Sequence, residues 1–350
     1  MNLVPGSDMF DFPKFPLLQG PTRIEEIDNL GKLKNKLCGV RLFIKRDDHM
    51  SIGGGGNKLR KLEFLLGEAR TQGADTIITV GALQSNHARL TAAASARAGL
   101  KCELVLSPRV YRDGIEYCRN GNFLLSNLFG ANITEVDIKD RNDPAATEKL
   151  VNKIEASLKN SGQKSYFCPT GGSTAVGALG YALCANEIAQ QSKEMGIDFA
   201  QVVVPNGSGG THAGLAAGFA AIGMSPRMVK SYAVVTSREN TLKFTLKIAQ
   251  ETAKMLKPSL QLTQEDIDID DSHLGEDYGI PTKEMLDAVR IMARSEGVLL
   301  DPVYSGKAFA GLLHDIQAGK YASGQNVLFL MTGGIPALFA YRSTLDDSHW

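Results

Sequence analysis

A lysine that opens a helix directly behind a run of glycines is a candidate nucleophile, and this chain has one. Gly53 to Gly56 are followed by Asn57 and Lys58, and a helical spacing of apolar residues begins at Leu59, Leu62, Leu65 and Leu66. Glycines let the backbone adopt positive φ or come close to something bulky. An amine fixed by its helix beside such space becomes nucleophilic when desolvated, and forms Schiff bases with carbonyl compounds. The competing reading is a glycine loop with a solvated basic helix start. A second stretch with chemistry in it is Val204-Pro205-Asn206-Gly207-Ser208-Gly209-Gly210-Thr211-His212-Ala213-Gly214. It follows an apolar strand and opens an alanine-glycine helix, so exposed backbone amides and a helix N-terminus make Gly207 to Thr211 a cup for a phosphate. No Gly-Lys-Ser/Thr follows, which excludes a Walker loop, and the spacing is wrong for the dinucleotide fingerprint. A plain tight turn is the alternative.

Four further junctions are rich in small and polar residues. In Gln84-Ser85-Asn86-His87, Ser85 and Asn86 either cap a helix or, with its N-terminus, hold a carboxylate. His87 is either an acid/base group or a satisfied histidine. Pro169-Thr170-Gly171-Gly172-Ser173 offers Ser173 as a cap. In Leu300-Asp301-Pro302-Val303-Tyr304-Ser305-Gly306-Lys307, Tyr304 either points its hydroxyl into a site or packs in the core. Met331-Thr332-Gly333-Gly334 is the fourth.

The elements that must position these residues alternate. Strands are expected at Thr76–Val80, Cys102–Leu106, Asn132–Val136, Ser165–Cys168, Gln201–Val204, Lys230–Val235 and Asn326–Met331. Helices are expected at Arg23–Leu37, Lys58–Gln72, Ala88–Ala98, Asn122–Phe129, Pro144–Lys159 and Lys283–Ser295. That alternation predicts a parallel α/β sheet, and in such sheets ligands bind where strand ends lead into helix N-termini. Thr263–Gly279 reads as the least structured interior piece. The opening Met1 to Asp8 resembles a protease-site remnant, so fold reasoning starts at Met9.

Composition sets the bounds. With 350 residues, two domains or one large domain with an inserted subdomain are expected. Lys+Arg and Asp+Glu are both 38, so the basic excess of a nucleic-acid binder is missing. Five cysteines without a CxxC pair suggest a reducing compartment and no disulfide frame. No metal site is expected. With no long apolar run, the expectation is a cytoplasmic protein with no membrane partner.

Taken together, G-G-N-K-L-R-K-L-E-F (55–64), G-A-L-Q-S-N-H-A-R (81–89), N-G-S-G-G-T-H-A-G-L (206–215), G-V-L-L-D-P-V-Y-S-G-K-A (297–308) and M-T-G-G-I-P-A-L-F-A-Y (331–341) resemble the D-cysteine desulfhydrase and 1-aminocyclopropane-1-carboxylate deaminase family. Its members are pyridoxal 5'-phosphate enzymes of the tryptophan-synthase-β type, fold type II. The resemblance runs from about Phe15 in the same order. It implies a two-domain open twisted parallel-sheet fold, with residues 9–63 and 169–350 forming the larger cofactor-binding domain and 64–168 the smaller α/β domain. It implies that Lys58 joins the cofactor aldehyde, that Gly207, Ser208, Gly209, Gly210 and Thr211 hold its phosphate, and that Asn86 bonds the ring hydroxyl. Gln84, Ser85, Asn86 and His87 would bind the substrate carboxylate. Tyr278, in D-Y-G-I-P, and Tyr304 would flank ring and substrate as catalytic groups. Thr332 would sit by the pyridine nitrogen, with Ser305 the second candidate.

In the cyclopropane deaminases of that family the residue after the active tyrosine is an acid; here it is Ser305, a weaker partner for the ring nitrogen. His87 also resembles the desulfhydrase side. The resemblance therefore implies β-elimination on D-cysteine, giving pyruvate, hydrogen sulfide and ammonia. The alternatives are L-cysteate sulfo-lyase or cyclopropane deaminase activity, or a ligand-binding protein without catalysis. A homodimer is the default assembly.

Overall fold

The computed structural model describes residues 7–32 and 37–345. Ten strands fall into two sheets: β1 (Ile24–Glu26), β2 (Arg41–Arg46), β3 (Thr76–Ala82), β4 (Lys101–Ser107), β5 (Asn132–Glu135), β6 (Ser165–Cys168), β7 (Phe199–Asn206), β8 (Val229–Ala233), β9 (Asp268–Asp270) and β10 (Asn326–Met331). One sheet has the order β1-β2-β10-β7-β8-β9, the other β5-β4-β3-β6. Every pairing is parallel except β1 on β2. The last strand in sequence, β10, lies between β2 and β7 at the middle of the larger sheet. Its Val327–Met331 are fully buried, as are Val202–Val204 of β7. Continuous apolar runs of this kind are what a parallel strand covered on both faces requires.

Two segments depart from expectation. The helix predicted over Arg23–Leu37 is instead β1 followed by one turn, Asn29–Lys32, with residues 33–36 outside those described. Ile24, Glu25 and Glu26 pair with Lys45, Ile44 and Phe43, so the sheet edge overrides local propensity. The stretch 263–279 contains β9, whose short D-I-D run pairs with β8.

A tightly packed group of helices fixes the relation between the lysine and the glycine loop. The helix Lys58–Thr71 is not solvated: Arg60, Lys61 and Glu63 are as buried as Leu59, Leu62, Leu65 and Leu66. Against it lies the helix Ala175–Met195, which also packs on the helix Gly210–Ala221. The approach is close enough that a Cβ on Gly180 would lie 2.1 Å from the Arg60 carbonyl oxygen, and one on Gly214 2.2 Å from that of Ala178. A buried ion network completes the clamp. Arg60 donates to both oxygens of Asp47 (2.9 Å each) and to Glu187 (2.8 Å), and the Tyr181 hydroxyl donates to Asp47. Burial pushes the Asp47 carboxyl up, but Arg60 wins and holds it below the ordinary carboxylate range.

Candidate active site between the two sheets

The carboxyl ends of strands from both sheets meet at one cavity of about 1060 Å³. Asn57 and Lys58 reach it from the loop after β2, Thr332 from β10, Pro205 to Gly209 from β7, and Val235 from beyond β8. From the smaller sheet come Ser85, Asn86 and His87 after β3, Arg109 after β4, and Thr170 and Gly171 after β6. Tyr278, Tyr304 and Thr211 also line it, and the first turns of the helix Pro144–Asn160 wall its outer part. This is where parallel α/β sheets place ligands.

Each loop has a local cause. Gly53 to Gly56 all have positive φ (61°, 79°, 72° and 134°), so the loop turns sharply before Lys58 begins its helix. The buried guanidinium of Arg89 donates to the carbonyls of Gly53 (2.6 Å) and Gly55 (3.1 Å) and so holds this loop from the smaller-sheet side. Asn57 donates its side-chain amide to Thr211 Oγ1 (3.1 Å), tying the lysine loop to the glycine loop. Lys58 makes no hydrogen bond or ion pair among the described residues. Burial pushes its amine down to about 8, against the opposing pull of Asp301. A desolvated, unpartnered amine of this kind is a nucleophile near neutral pH.

On the glycine loop, Gly209 N–H donates to Asn206 Oδ1 (3.0 Å) and Gly210 N–H to Ser173 Oγ (3.3 Å), while Gly210 starts a 12-residue helix whose first-turn amides face no earlier turn. Gly210 itself lies just behind the cavity wall. Ser173 is not a helix cap; Thr174 caps the helix Ala175–Met195. Ser173 Oγ instead meets Ser208 Oγ (2.7 Å) and accepts from Lys61 Nζ (3.1 Å). Lys61 thus places a second buried amine under the loop, where a Gly210 Cβ would lie 2.7 Å from its Nζ. Its position three residues after Lys58, on the same helix face, is the signal that could have found it.

On the β3 loop, Ser85 caps its helix by accepting from Ala88 N–H (3.1 Å), and its own hydroxyl hydrogen is free to donate. Asn86 accepts from Asn122 (2.9 Å) and turns its amide nitrogen toward Gly334. Gln84 is not among the cavity residues, a departure from expectation. Its amide donates to the Asn120 carbonyl (2.9 Å) and accepts from Asn122 N–H (2.9 Å), fastening the helix Gly121–Leu128. His87 lines the cavity with a defined tautomer. Thr79 gives its single hydroxyl hydrogen to the Cys168 carbonyl (2.7 Å), so its oxygen accepts from His87 Nε2–H (2.9 Å). Burial, Lys58 and Lys61 all push the ring's pKa well down, so Nδ1 is a bare, unpartnered acceptor.

Tyr278 and Tyr304 share a hydroxyl–hydroxyl hydrogen bond of 2.8 Å. Burial raises both above the ordinary tyrosine value, so both keep their protons. One proton bonds across the pair, leaving the other free. Gly207 packs beneath Tyr304, where a Cβ would lie 3.1 Å from the ring. Of the two hydroxyls expected at a ring nitrogen, Thr332 lines the cavity, whereas Ser305 is fully buried and donates to Asp301 (2.6 Å). Asp301 was missed in the sequence. Its carboxylate accepts from the amides of Val303 (3.0 Å), Tyr304 (3.0 Å) and Ser305 (2.7 Å), fixing the turn that leads into the helix Ser305–Gln317. An aspartate just before proline and a helix is the signal for it.

A buried amine and a helix-borne anion cup facing one chamber between parallel sheets define an enzyme that carries a phosphorylated aldehyde. The residues fit pyridoxal phosphate: the half-buried Lys58 amine has no partner among the described residues, and Gly207, Ser208, Gly209 and Thr211 line the same cavity. A family model described as pyridoxal-phosphate dependent enzyme matches residues 16–333, and the chain belongs to that family. It is 41% identical over 332 residues to a D-cysteine desulfhydrase of Serratia proteamaculans (strain 568), covering 95% of this chain and 96% of that one. It is 42% identical, at the same coverage, to one of Yersinia enterocolitica. The crystal structure of an ACC deaminase homologue superposes with a TM-score of 0.85 at 35% identity, over 98% of this chain and 99% of that one. An O-ureido-L-serine synthase at 15% identity and TM-score 0.63 shares the fold.

Proposed function

We propose that this protein catalyses β-elimination on D-cysteine, releasing pyruvate, hydrogen sulfide and ammonia. The observation that carries the reading is the unpartnered Lys58 amine in the same chamber as the Gly207–Thr211 loop, in a chain about 42% identical to D-cysteine desulfhydrases over nearly its whole length. Pyridoxal phosphate, when bound, supplies an electron sink for negative charge at the substrate α-carbon. Lys58 would hold the cofactor through its aldehyde and is placed to take the substrate's α-proton; an amine pushed down to about 8 suits a general base. Gly207 to Thr211 would hold the phosphate, and Lys61, which donates to Ser173 Oγ, braces the loop from beneath; burial and the neighbouring Lys58 amine push its own amine well down. Asn86 would serve the ring hydroxyl and Thr332 the ring nitrogen, both lining the cavity. Ser85, Asn86 and the amides opening the helix Asn86–Ala98 hold the substrate carboxylate. Tyr278 and Tyr304, which keep their protons, supply one to the departing sulfur.

A hydroxyl at Thr332, with no acid after Tyr304, is a weak partner for the ring nitrogen. That favours an elimination whose leaving group departs at once, over ring opening. The reading carries with it a cytoplasmic homodimer, two domains divided near residues 64 and 168, and a smaller domain that closes over substrate. The cytoplasmic part is supported by five scattered cysteines with no CxxC pair; no described helix is long and apolar enough to cross a membrane. The test is a product screen on D- and L-cysteine, cysteate, 3-chloroalanine, diaminopropionate and 1-aminocyclopropane-1-carboxylate. Sulfide and pyruvate from D-cysteine are expected. α-Ketobutyrate from the cyclopropane substrate, with no sulfide from D-cysteine, would refute the reading.

A further inference from the structure

Tyr278 stands on a loop, residues 271–282, that links β9 to the helix Lys283–Glu296 and has no strand or helix of its own. Its hydroxyl nevertheless meets that of Tyr304, which belongs to the helix start at Ser305. Between the two lies Lys307, on the first turn of that helix. Its side chain is fully buried and forms no ion pair among the described residues. Its Nζ donates to the carbonyls of Leu274 (2.6 Å) and Asp277 (3.2 Å), and Asp277 immediately precedes Tyr278. Gly275, at φ +75°, folds the loop around the amine; a Cβ there would lie 2.6 Å from Thr282 Cγ2 and 3.6 Å from Nζ. A closed ring results, running from the Tyr278 hydroxyl to Tyr304, along one helical turn to Lys307, and back through two carbonyls to Tyr278.

Burying an ammonium without a carboxylate is unfavourable unless its donors are satisfied, and an apolar side chain would fill the slot without that cost. The cation does what an apolar residue could not: it fixes two loop carbonyls at defined points. We propose that Lys307 is a positioning residue that holds the Tyr278 hydroxyl against Tyr304 for proton delivery to the leaving group. The inference rests on the elimination proposed above and on the tyrosine pair being its acid.

The test is a double-mutant cycle on the holoenzyme with Lys307→Met, Tyr278→Phe and the pair. Each single variant is expected to lower kcat for pyruvate release from D-cysteine by about 10- to 100-fold, the scale of an ångström-level misplacement. KM should change by less than about threefold, and the visible absorbance of the Lys58-bound cofactor should not change. The double variant should be no slower than Tyr278→Phe, because Lys307 acts through that hydroxyl. Lys307→Gln, which keeps a neutral donor, should recover part of the loss, and it carries the same cycle if the methionine variant does not fold. A slow Tyr278→Phe beside a Lys307 variant with wild-type kcat overturns the inference, as do fully additive losses in the double variant. Wild-type kcat in Tyr278→Phe overturns the assignment of the tyrosine pair itself, and the inference with it.

Discussion

Replacing Gly180 by alanine tests what sets the distance between the active lysine and the phosphate cup. The added methyl would lie 2.1 Å from the Arg60 carbonyl oxygen, 2.4 Å from its carbon and 3.0 Å from Lys61 N, all backbone atoms of the helix that carries Lys58. Ordinary contact begins near 3.4 Å, so the helix must retreat by about 1.3 Å. Overpacking of this kind costs about 1–3 kcal/mol of stability, offset in part by up to about 1 kcal/mol from alanine's better helix propensity. Activity should suffer more, since a misplacement of about 1 Å at the reacting group costs about 100-fold. Steady-state pyruvate release and thermal melting of the holoenzyme give the two numbers. The expected pattern is a modest fall in melting temperature with kcat down by one to two orders of magnitude. Wild-type kcat together with wild-type melting would show that the contact at Gly180 does not locate Lys58.

Lys58→Ala should abolish both the visible cofactor band and turnover while leaving the far-ultraviolet circular dichroism unchanged; retained turnover would remove the amine from the mechanism. For the cofactor-free protein, the depressed Lys58 pKa makes the charged amine unfavourable in the folded state. Stability should therefore rise as pH climbs from about 8 towards the unfolded value near 10.4, and Lys58→Met should lose part of that rise; Lys307, also pushed down to about 8, accounts for a further part. Identical pH–stability profiles for the wild type and Lys58→Met would contradict the burial of the amine. Asp47→Ala leaves the Arg60 guanidinium buried without its main partner and should cost about 3–5 kcal/mol in denaturant unfolding. A loss below about 1 kcal/mol would mean that Glu187 alone satisfies Arg60.

Much of this was legible in the residues. β6 and β10 fall at the predicted residues and most other elements within a few, because buried parallel strands are apolar throughout and are punctuated by glycine. Lys58, Asn86, His87, Thr211, Tyr278, Tyr304 and Thr332 all reach one chamber, because strand-end loops in such sheets converge. What could not be read depended on partners far along the chain. β1 is a strand only because β2 offers it an edge. Gln84 leaves the cavity because Asn120 and Asn122, more than thirty residues on, take its amide. His87 becomes a bare acceptor through Thr79 and the Cys168 carbonyl. Arg60 and Lys61 look like surface charges until Asp47, Glu187 and Ser173 are seen to enclose them.

The strand order has a consequence for biogenesis. The middle strand of the larger sheet, β10, is the last to be made. While the ribosome is still extending the chain, β2 and β7 have no neighbour between them, and Thr332 has not emerged to close the chamber. The smaller sheet, complete by Cys168, can form on the nascent chain. The cofactor-binding chamber has to wait for Asn326–Met331, so its assembly follows that of the smaller sheet.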